Sequence, residues 1–329
     1  MAIEIRRAWH RCLEFGGLRL VCEYARIGLL SDIISACMRC AVNGSSLKTV
    51  YSVIMEKAEH VLKQRYGKMI DQALQKNRSN EDIKKSGVPH IIWTCWLQGM
   101  EKAPPLVRAC ISSQKKVFSD YEHRVLTLDN YRQWIEIPEY VKRKYAKGRI
   151  PSASFSDLLR LAVLKKYGGV WMDATVLCTG FGNDTLKNQW HNVMNSHFTL
   201  CRYYQRGAKA PIGLSTWLIA ATQDNIIINT VNDMLMAYWH DYDCTIDYYM
   251  IHLFIDMCMK AIPDTAQRMP KMNSRYCLML GNCLYADYNE LAWRDLIAHV
   301  GIHKLNYRKT EEAMKNCHSY CEYILRNFQ

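Results

Sequence analysis

Residues 150–179 read IPSASFSDLLRLAVLKKYGGVWMDATVLCT, and the fold is decided there. Ser154 and Asp157 form an S-x-x-D start signal just ahead of an apolar run, the spacing of a capped helix N-terminus. Leu158, Leu159, Leu161, Ala162, Val163 and Leu164 carry the helix. Lys165 and Lys166 put positive charge in its last turn, where the macrodipole is negative. Gly168 and Gly169 supply the left-handed backbone that closes a helix. Val170, Trp171 and Met172 then form a short buried strand that ends on Asp173. Ligands of open α/β sheets collect at the carboxyl ends of strands. Asp157 and Arg160 lie three apart on one side of the helix among leucines, and charges flanked in that way need a partner or a ligand. Each acid also has a plainer reading, Asp157 as a cap and Asp173 as a turn residue. Across one helix–strand unit, the two read together as one site.

On the amino side of this unit, residues 90–96 (HIIWTCW) have the length and residue types of a buried strand. Pro104 and Pro105 open a helix over residues 106–117. A second strand is expected over 123–128, then a short helix from Asp129-Asn130 to Ile137-Pro138. This βαβα order predicts a mostly parallel sheet flanked by helices. Trp93 reads as a core residue or as a flat surface for a base. On the carboxyl side, residues 215–221 read as a strand, the helix after it runs over 225–238, and residues 310–328 form a closing helix. Residues 1–80 read as helices, with Leu18, Leu20, Val21, Ala25, Leu29 and Ile33 at helical spacing, a break at 43–46 and a resumed pattern over 47–75. The polar stretch 76–87 reads as a linker. Three parts follow: a helical appendage at 1–80, a core at 81–309 and a terminal helix at 310–329.

The 329 residues carry a formal net charge of +12, which suits nucleic acid, an anionic membrane surface or a phosphorylated small molecule. There is no basic run with interleaved aromatics and no zinc-finger or helix-turn-helix signature, so nucleic acid is not an expected partner. No stretch approaches the roughly 20 uncharged apolar residues of a spanning helix. The fourteen cysteines are scattered, and the start MAIEIRRAWHRC is charged, which reads as a reducing cytoplasm with free thiols. Cys37-x-x-Cys40 has no second pair nearby to complete a zinc site, and Cys317 and Cys321 read as packing residues.

The segments VPHIIWTCWLQGMEKAPPLVRACISSQKK and FSDLLRLAVLKKYGGVWMDATV carry a resemblance. They look like the capsular polysaccharide synthesis protein family of bacterial glycosyltransferases. More distantly they are similar to the sugar-binding family with a DXD motif, which includes clostridial toxin glucosyltransferases and yeast-type mannosyltransferases. The likeness runs over about residues 88–307 and centres on S-D-x-x-R followed by Y-G-G-x-W-x-D. It implies a GT-A-type, Rossmann-like core and transfer of a sugar from a nucleotide-sugar donor, a UDP-sugar, to a hydroxyl of a growing surface polysaccharide, with retention of configuration. The alternative acceptor is a protein side chain, and the non-enzymatic alternative is a basic scaffold on a membrane or nucleic acid.

The resemblance also implies roles. Trp93 resembles the aromatic that stacks on the uracil, and Trp171 joins the nucleotide-sugar set. Asp157 and Arg160 look like the pair that holds the hydroxyls of the donor sugar. Asp173 corresponds to the first acid of the DXD motif, whereas the second acid is replaced by Thr175. The late segment Gly301-Ile302-His303-Lys304-Leu305 resembles the family's H-K-L segment at the diphosphate. Mn²⁺ or Mg²⁺ is the expected cofactor, with Asp173 and His303 as its protein ligands. Asp247 and His252 resemble a segment on the acceptor side, although Asp247 also reads as a helix cap and His252 as a core histidine. The expected partners are the donor and a glycan acceptor, lipid-linked at the membrane. The expected place is the cytoplasm, peripheral at the inner face of the membrane.

Overall fold

The computed structural model describes residues 17–43, 47–78, 87–202, 213–247, 249–270, 274–307 and 316–328. The break at 44–46 and most of the 76–87 linker lie outside them, as does the first part of the closing helix.

In chain order the described elements are helices α1 (Leu18–Arg26), α2 (Leu30–Asn43) and α3 (Leu47–Arg78), then strand β1 (Ile91–Cys95), helix α4 (Pro105–Val117) and strand β2 (Glu122–Leu126). Helices α5 (Glu139–Ala146) and α6 (Ser152–Tyr167) precede strands β3 (Gly169–Met172) and β4 (Val176–Cys178), helix α7 (Asp184–Met194) and strands β5 (Phe198–Arg202) and β6 (Leu214–Ala221). Helices α8 (Ile226–Asp241), α9 (Met250–Ala261), α10 (Pro263–Arg268), α11 (Ser274–Cys283) and α12 (Glu290–His299) follow, with strand β7 (Ile302–Lys304) and helix α13 (Tyr320–Asn327) last.

Five strands form one mixed sheet in the order β2-β1-β3-β6-β5. β1 pairs parallel with both β2 and β3, while β6 runs antiparallel to β3 and to β5. Reversal at β6 and again at β5 returns β5 to the direction of the first three, so the sheet is mostly parallel with β6 opposed. Only residues 203–213 separate β5 from β6. That connection is shorter than the dozen or more residues a parallel crossover needs, and an antiparallel pair follows.

The decisive stretch folds much as its sequence demands. Gly168 has φ 64° and Gly169 φ 100°. A Cβ on Gly168 would lie 2.6 Å from the Gln223 amide nitrogen, and one on Gly169 would lie 2.6 Å from the Ile91 carbonyl oxygen. Both the left-handed turn and the close approach of β3 to β1 therefore require glycine. The helix start differs. α6 begins at Ser152, where Pro151 accepts the Phe155 amide at 2.9 Å, so Ser154 and Asp157 are inside the helix rather than at its cap. The short helix expected after Asn130 is a 3₁₀ turn at Tyr131–Gln133, and a true helix, α5, follows Pro138.

By spatial compactness the chain divides into two units. One comprises residues 1–83, 136–161 and 226–263, the other residues 84–135, 162–225 and 264–329. In the first, the amino-terminal helices are tied to α8, α9 and the segment joining them. Tyr24 donates to the Ile246 carbonyl at 2.9 Å, Tyr66 to Asp241 at 2.9 Å, and Lys260 pairs with Glu59 at 2.7 Å. In the second, Ile92, Val170 and Met172 of the sheet pack with Leu106, Ala109 and Cys110 of α4 and with Ile324 and Leu325 of α13. Full burial of such side chains stabilises by about 1.5–3 kcal/mol each. Twelve of the cysteines in the described residues are free thiols, and no described helix is long and apolar enough to cross a membrane.

Candidate active site

Asp173 follows β3 directly. Side chains alternate along a strand, so Trp171 and Asp173 share a face, and Trp171 Nε1 donates to Asp173 Oδ1 at 2.9 Å. The other carboxylate oxygen, Oδ2, accepts Lys304 Nζ at 2.7 Å, and the same ammonium lies 2.7 Å from Thr175 Oγ1. Lys304 is delivered by β7, which pairs antiparallel with β4 so that Val176 stands opposite Lys304. The Leu305 amide also donates to the Thr175 carbonyl at 2.9 Å. Asp173 and Lys304 keep 26% and 24% of their side-chain surface exposed, so the pair is reachable from solvent yet partly desolvated.

The turn that carries these groups is held from beneath. Gln114, on the buried face of α4, donates Nε2 to the Val176 carbonyl at 2.9 Å and to the Asp173 carbonyl at 3.2 Å. The Thr94 hydroxyl lies 2.9 Å from Gln114 Oε1 and 3.0 Å from the Met172 carbonyl oxygen. Thr94 and Gln114 are both buried. A buried amide is costly unless bonded, and here its bonds fix the backbone under Asp173. The Asp173 amide in turn donates to the Trp217 carbonyl of β6 at 2.9 Å. Sequence reasoning passed over Gln114 and Thr94. The available signal was Thr94, a polar residue inside the otherwise apolar strand IIWTC; Gln114 sits among other polar residues of its helix and gave none.

His303 does not join Asp173. It alternates with Lys304 along β7, is fully buried, and its Nε2 lies 3.0 Å from Thr179 Oγ1. Burial pushes its pKa down to about 3 from the ordinary 6.5, so the imidazole stays neutral. The divalent cation expected at Asp173 and His303 therefore meets a poor donor set. Among the described residues no three His, Cys, Asp or Glu side chains gather to hold a metal. The one carboxylate at the turn faces an ammonium. Mg²⁺ and Mn²⁺ favour several hard oxygen ligands, and the residues present do not fit that demand.

Trp93 takes the core reading. It is 0% exposed, and its Nε1 donates to the Gly168 carbonyl at 3.0 Å. Its ring has Trp134 edge-on at 5.8 Å, Tyr167 at 5.4 Å and the Arg124 guanidinium over it at 4.8 Å. No face of the indole is left for a base. Three residues on, Trp96 is only half-buried, just past the carboxyl end of β1. It meets Tyr307 edge-on at 5.4 Å, and both pack against the cluster that contains Ala174, the neighbour of Asp173. Sequence reasoning did not single out Trp96; its position after the strand, rather than within it, was the signal that it stands nearer the Asp173 turn.

The remaining expected residues belong to the first unit. Asp157 and Arg160 form an ion pair of 2.9 Å along α6, with Arg160 6% exposed. Asp247 is buried and accepts the Tyr249 amide at 2.6 Å just ahead of α9, a cap-like contact. His252 lies in the first turn of α9 with the Tyr249 ring edge-on at 5.2 Å.

Comparison with known proteins gives these groups a setting. A stretch of 181 residues is 23% identical to the O-glycosyltransferase PaGT of Phomopsis amygdali, covering 50% of this chain and 42% of the relative. A stretch of 94 residues is 30% identical to the uncharacterized glycosyltransferase L373 of Acanthamoeba polyphaga mimivirus, covering 28% of this chain and 37% of that protein. The chain thus spans less than half the length of either curated relative. Among solved structures, the PaToxG Glycosyltransferase is similar with a TM-score of 0.40 and 16% identity, over 83% of this chain and 97% of that one. The family model described as capsular polysaccharide synthesis protein matches residues 41–324. That match takes in the sheet, the Asp173 turn and Lys304 together, and the chain belongs to the capsular polysaccharide synthesis protein family.

Proposed function

We propose that the protein is a glycosyltransferase with a GT-A-type core, which moves a sugar from a UDP-sugar to a hydroxyl of a growing capsular or other surface polysaccharide, with retention of configuration. The observation that carries this reading is the Asp173–Lys304–Thr175 cluster at the carboxyl end of β3, in a chain of this family. Departure of a nucleoside diphosphate builds negative charge on its phosphate oxygens, and a fixed cation there lowers the barrier. Lys304 on β7 supplies such a charge, held against the Asp173 turn, whose backbone is pinned by Gln114. No described pair of carboxylates is disposed as general acid and base at this turn, so catalysis rests on donor positioning and leaving-group stabilisation. Trp96 and Tyr307 offer a flat apolar surface beside Ala174 for the uracil. Asp157 and Arg160 have the donor and acceptor atoms that sugar hydroxyls require.

The acceptor is a hydroxyl on a glycan, lipid-linked at the inner face of the membrane. A protein hydroxyl is the competing acceptor. A donor screen that follows UDP or GDP release, in the presence of short oligosaccharides or of protein acceptors, tests the reading. UDP release that needs a glycan and is lost in Asp173→Asn supports it. The absence of nucleotide release or binding with every donor and acceptor would remove it.

A further inference from the structure

The poor fit of the Asp173 turn to a divalent cation has its own consequence, which rests on the donor reading above. Lys304 Nζ stands 2.7 Å from Asp173 Oδ2 and 2.7 Å from Thr175 Oγ1. An ion bound to Asp173 would have to lie within about 2.0–2.2 Å of a carboxylate oxygen. One of the two oxygens already faces the ammonium and the other already accepts the Trp171 indole. A dication at Oδ2 would displace Lys304 or sit against its like charge. The position where the DXD pattern would supply a second acid carries a hydroxyl instead, and that hydroxyl also faces Lys304. The neighbouring imidazole is turned away to Thr179.

Lys304 itself is unusually well fixed for a lysine. Its strand is locked to β4, and Leu305 is bonded to the Thr175 carbonyl. From the other side, Gly281 of α11 packs so closely that a Cβ there would lie 2.5 Å from the Lys304 carbonyl oxygen. An ammonium has three protons. Two are directed at Asp173 and Thr175, and among the described residues the third has no acceptor, while the side chain retains access to solvent. Lysine binds phosphate as a compact point charge. The loss of side-chain freedom that a mobile lysine suffers on binding is here already met in the folded protein.

We infer that Lys304 is the resident cation of the donor site, clasped by Asp173 and Thr175 against the diphosphate in place of a divalent metal, so that this chain binds nucleoside diphosphate without Mn²⁺ or Mg²⁺. Asp173 in this arrangement holds the lysine and keeps it oriented; it is not a metal ligand. Thr175, whose oxygen accepts from Lys304, keeps its own hydroxyl proton for a phosphate oxygen.

The test is calorimetric titration of the purified chain with UDP and with GDP, first in EDTA and then in Mn²⁺ or Mg²⁺. Wild type is expected to bind at least one nucleotide in EDTA, with an affinity that changes less than about threefold when metal is added. Lys304→Gln should lose at least tenfold in EDTA, and Lys304→Arg, which keeps the charge, should lose less than Lys304→Gln. Thermal melts of all three without nucleotide separate loss of binding from loss of fold. Binding by wild type that appears only with metal overturns the inference and leaves the donor reading intact. Unchanged binding by folded Lys304→Gln in EDTA overturns the role of Lys304. No binding of any nucleotide, with or without metal, overturns the donor reading itself.

Discussion

Two tryptophans three residues apart, Trp93 and Trp96, show how one strand end separates framework from site. Trp93 lies inside β1, opposite Arg124 of β2 and Trp171 of β3 in register, and it is closed in by Trp134, Tyr167 and the Arg124 guanidinium. Trp96 lies past the end of the strand, half-buried against Tyr307 and beside the cluster that includes Ala174. Both are large aromatics that could stack on a base. Only the second has a face to offer. Burial, rather than residue type, assigns the role, because an indole already covered on its faces would have to lose those contacts before it could gain a ligand.

The sharpest way to break this comparison is Trp93→Ala. Truncation of a fully buried tryptophan should cost about 3–5 kcal/mol of stability, seen as a lower urea midpoint, while the protein that remains folded binds UDP within about twofold of wild type. A selective loss of UDP affinity with unchanged stability would return Trp93 to the donor. Next in size is Asp173→Asn, which releases the clasp on Lys304. Turnover of the donor should fall about 10²–10³-fold, the scale of one lost electrostatic contact in a preorganised site, measured as nucleoside diphosphate release with the fold unchanged by circular dichroism.

A smaller effect sharpens the contrast along β7, where the buried His303 alternates with the accessible Lys304. The folded-state pKa of His303 lies at about 3, below the 6.5 of an unfolded histidine. Below pH 6.5 the unfolded chain takes up a proton that the native chain refuses, so stability falls as pH falls. Between pH 8 and pH 5 this group alone should remove roughly 2 kcal/mol. His303→Gln should flatten that part of the pH dependence in urea melts at the two pH values. An unchanged slope would mean that His303 is not the group responsible. The smallest expected change belongs to Trp96→Ala, which should weaken UDP binding about tenfold, within the 1–3 kcal/mol of one base stack, with little change in melting temperature. Equal losses for uridine diphosphate and for pyrophosphate would argue that the phosphate end, not the base, had been disturbed.

Much of the architecture was legible because the signals were local. The Gly168-Gly169 pair marks a turn that no other residue can make, and the apolar run before it with Asp173 after it marks helix, strand and strand end. The reversal of β6 was not legible, since a buried strand reads the same in either direction. At the candidate site, sequence singled out Asp173 and the late lysine as candidates. It could not show that they touch, because 131 residues separate them. It also could not show that His303 and Lys304, adjacent in sequence, face different surroundings until β7 had a partner. Gln114 escaped notice for a related reason: its role is to satisfy backbone carbonyls under Asp173, and a bond to backbone leaves no pattern in residue types.

The indole–carboxylate contact between Trp171 and Asp173 makes the site optically readable. An indole's emission responds to the charge and hydrogen bonding around its N–H, and this one reports on the carboxylate that clasps Lys304. With nine tryptophans in the chain the signal is mixed, but the difference spectrum between wild type and Trp171→Phe isolates it. If nucleotide binds beside Lys304 as proposed, its arrival could then be timed in stopped flow without a label or a turnover.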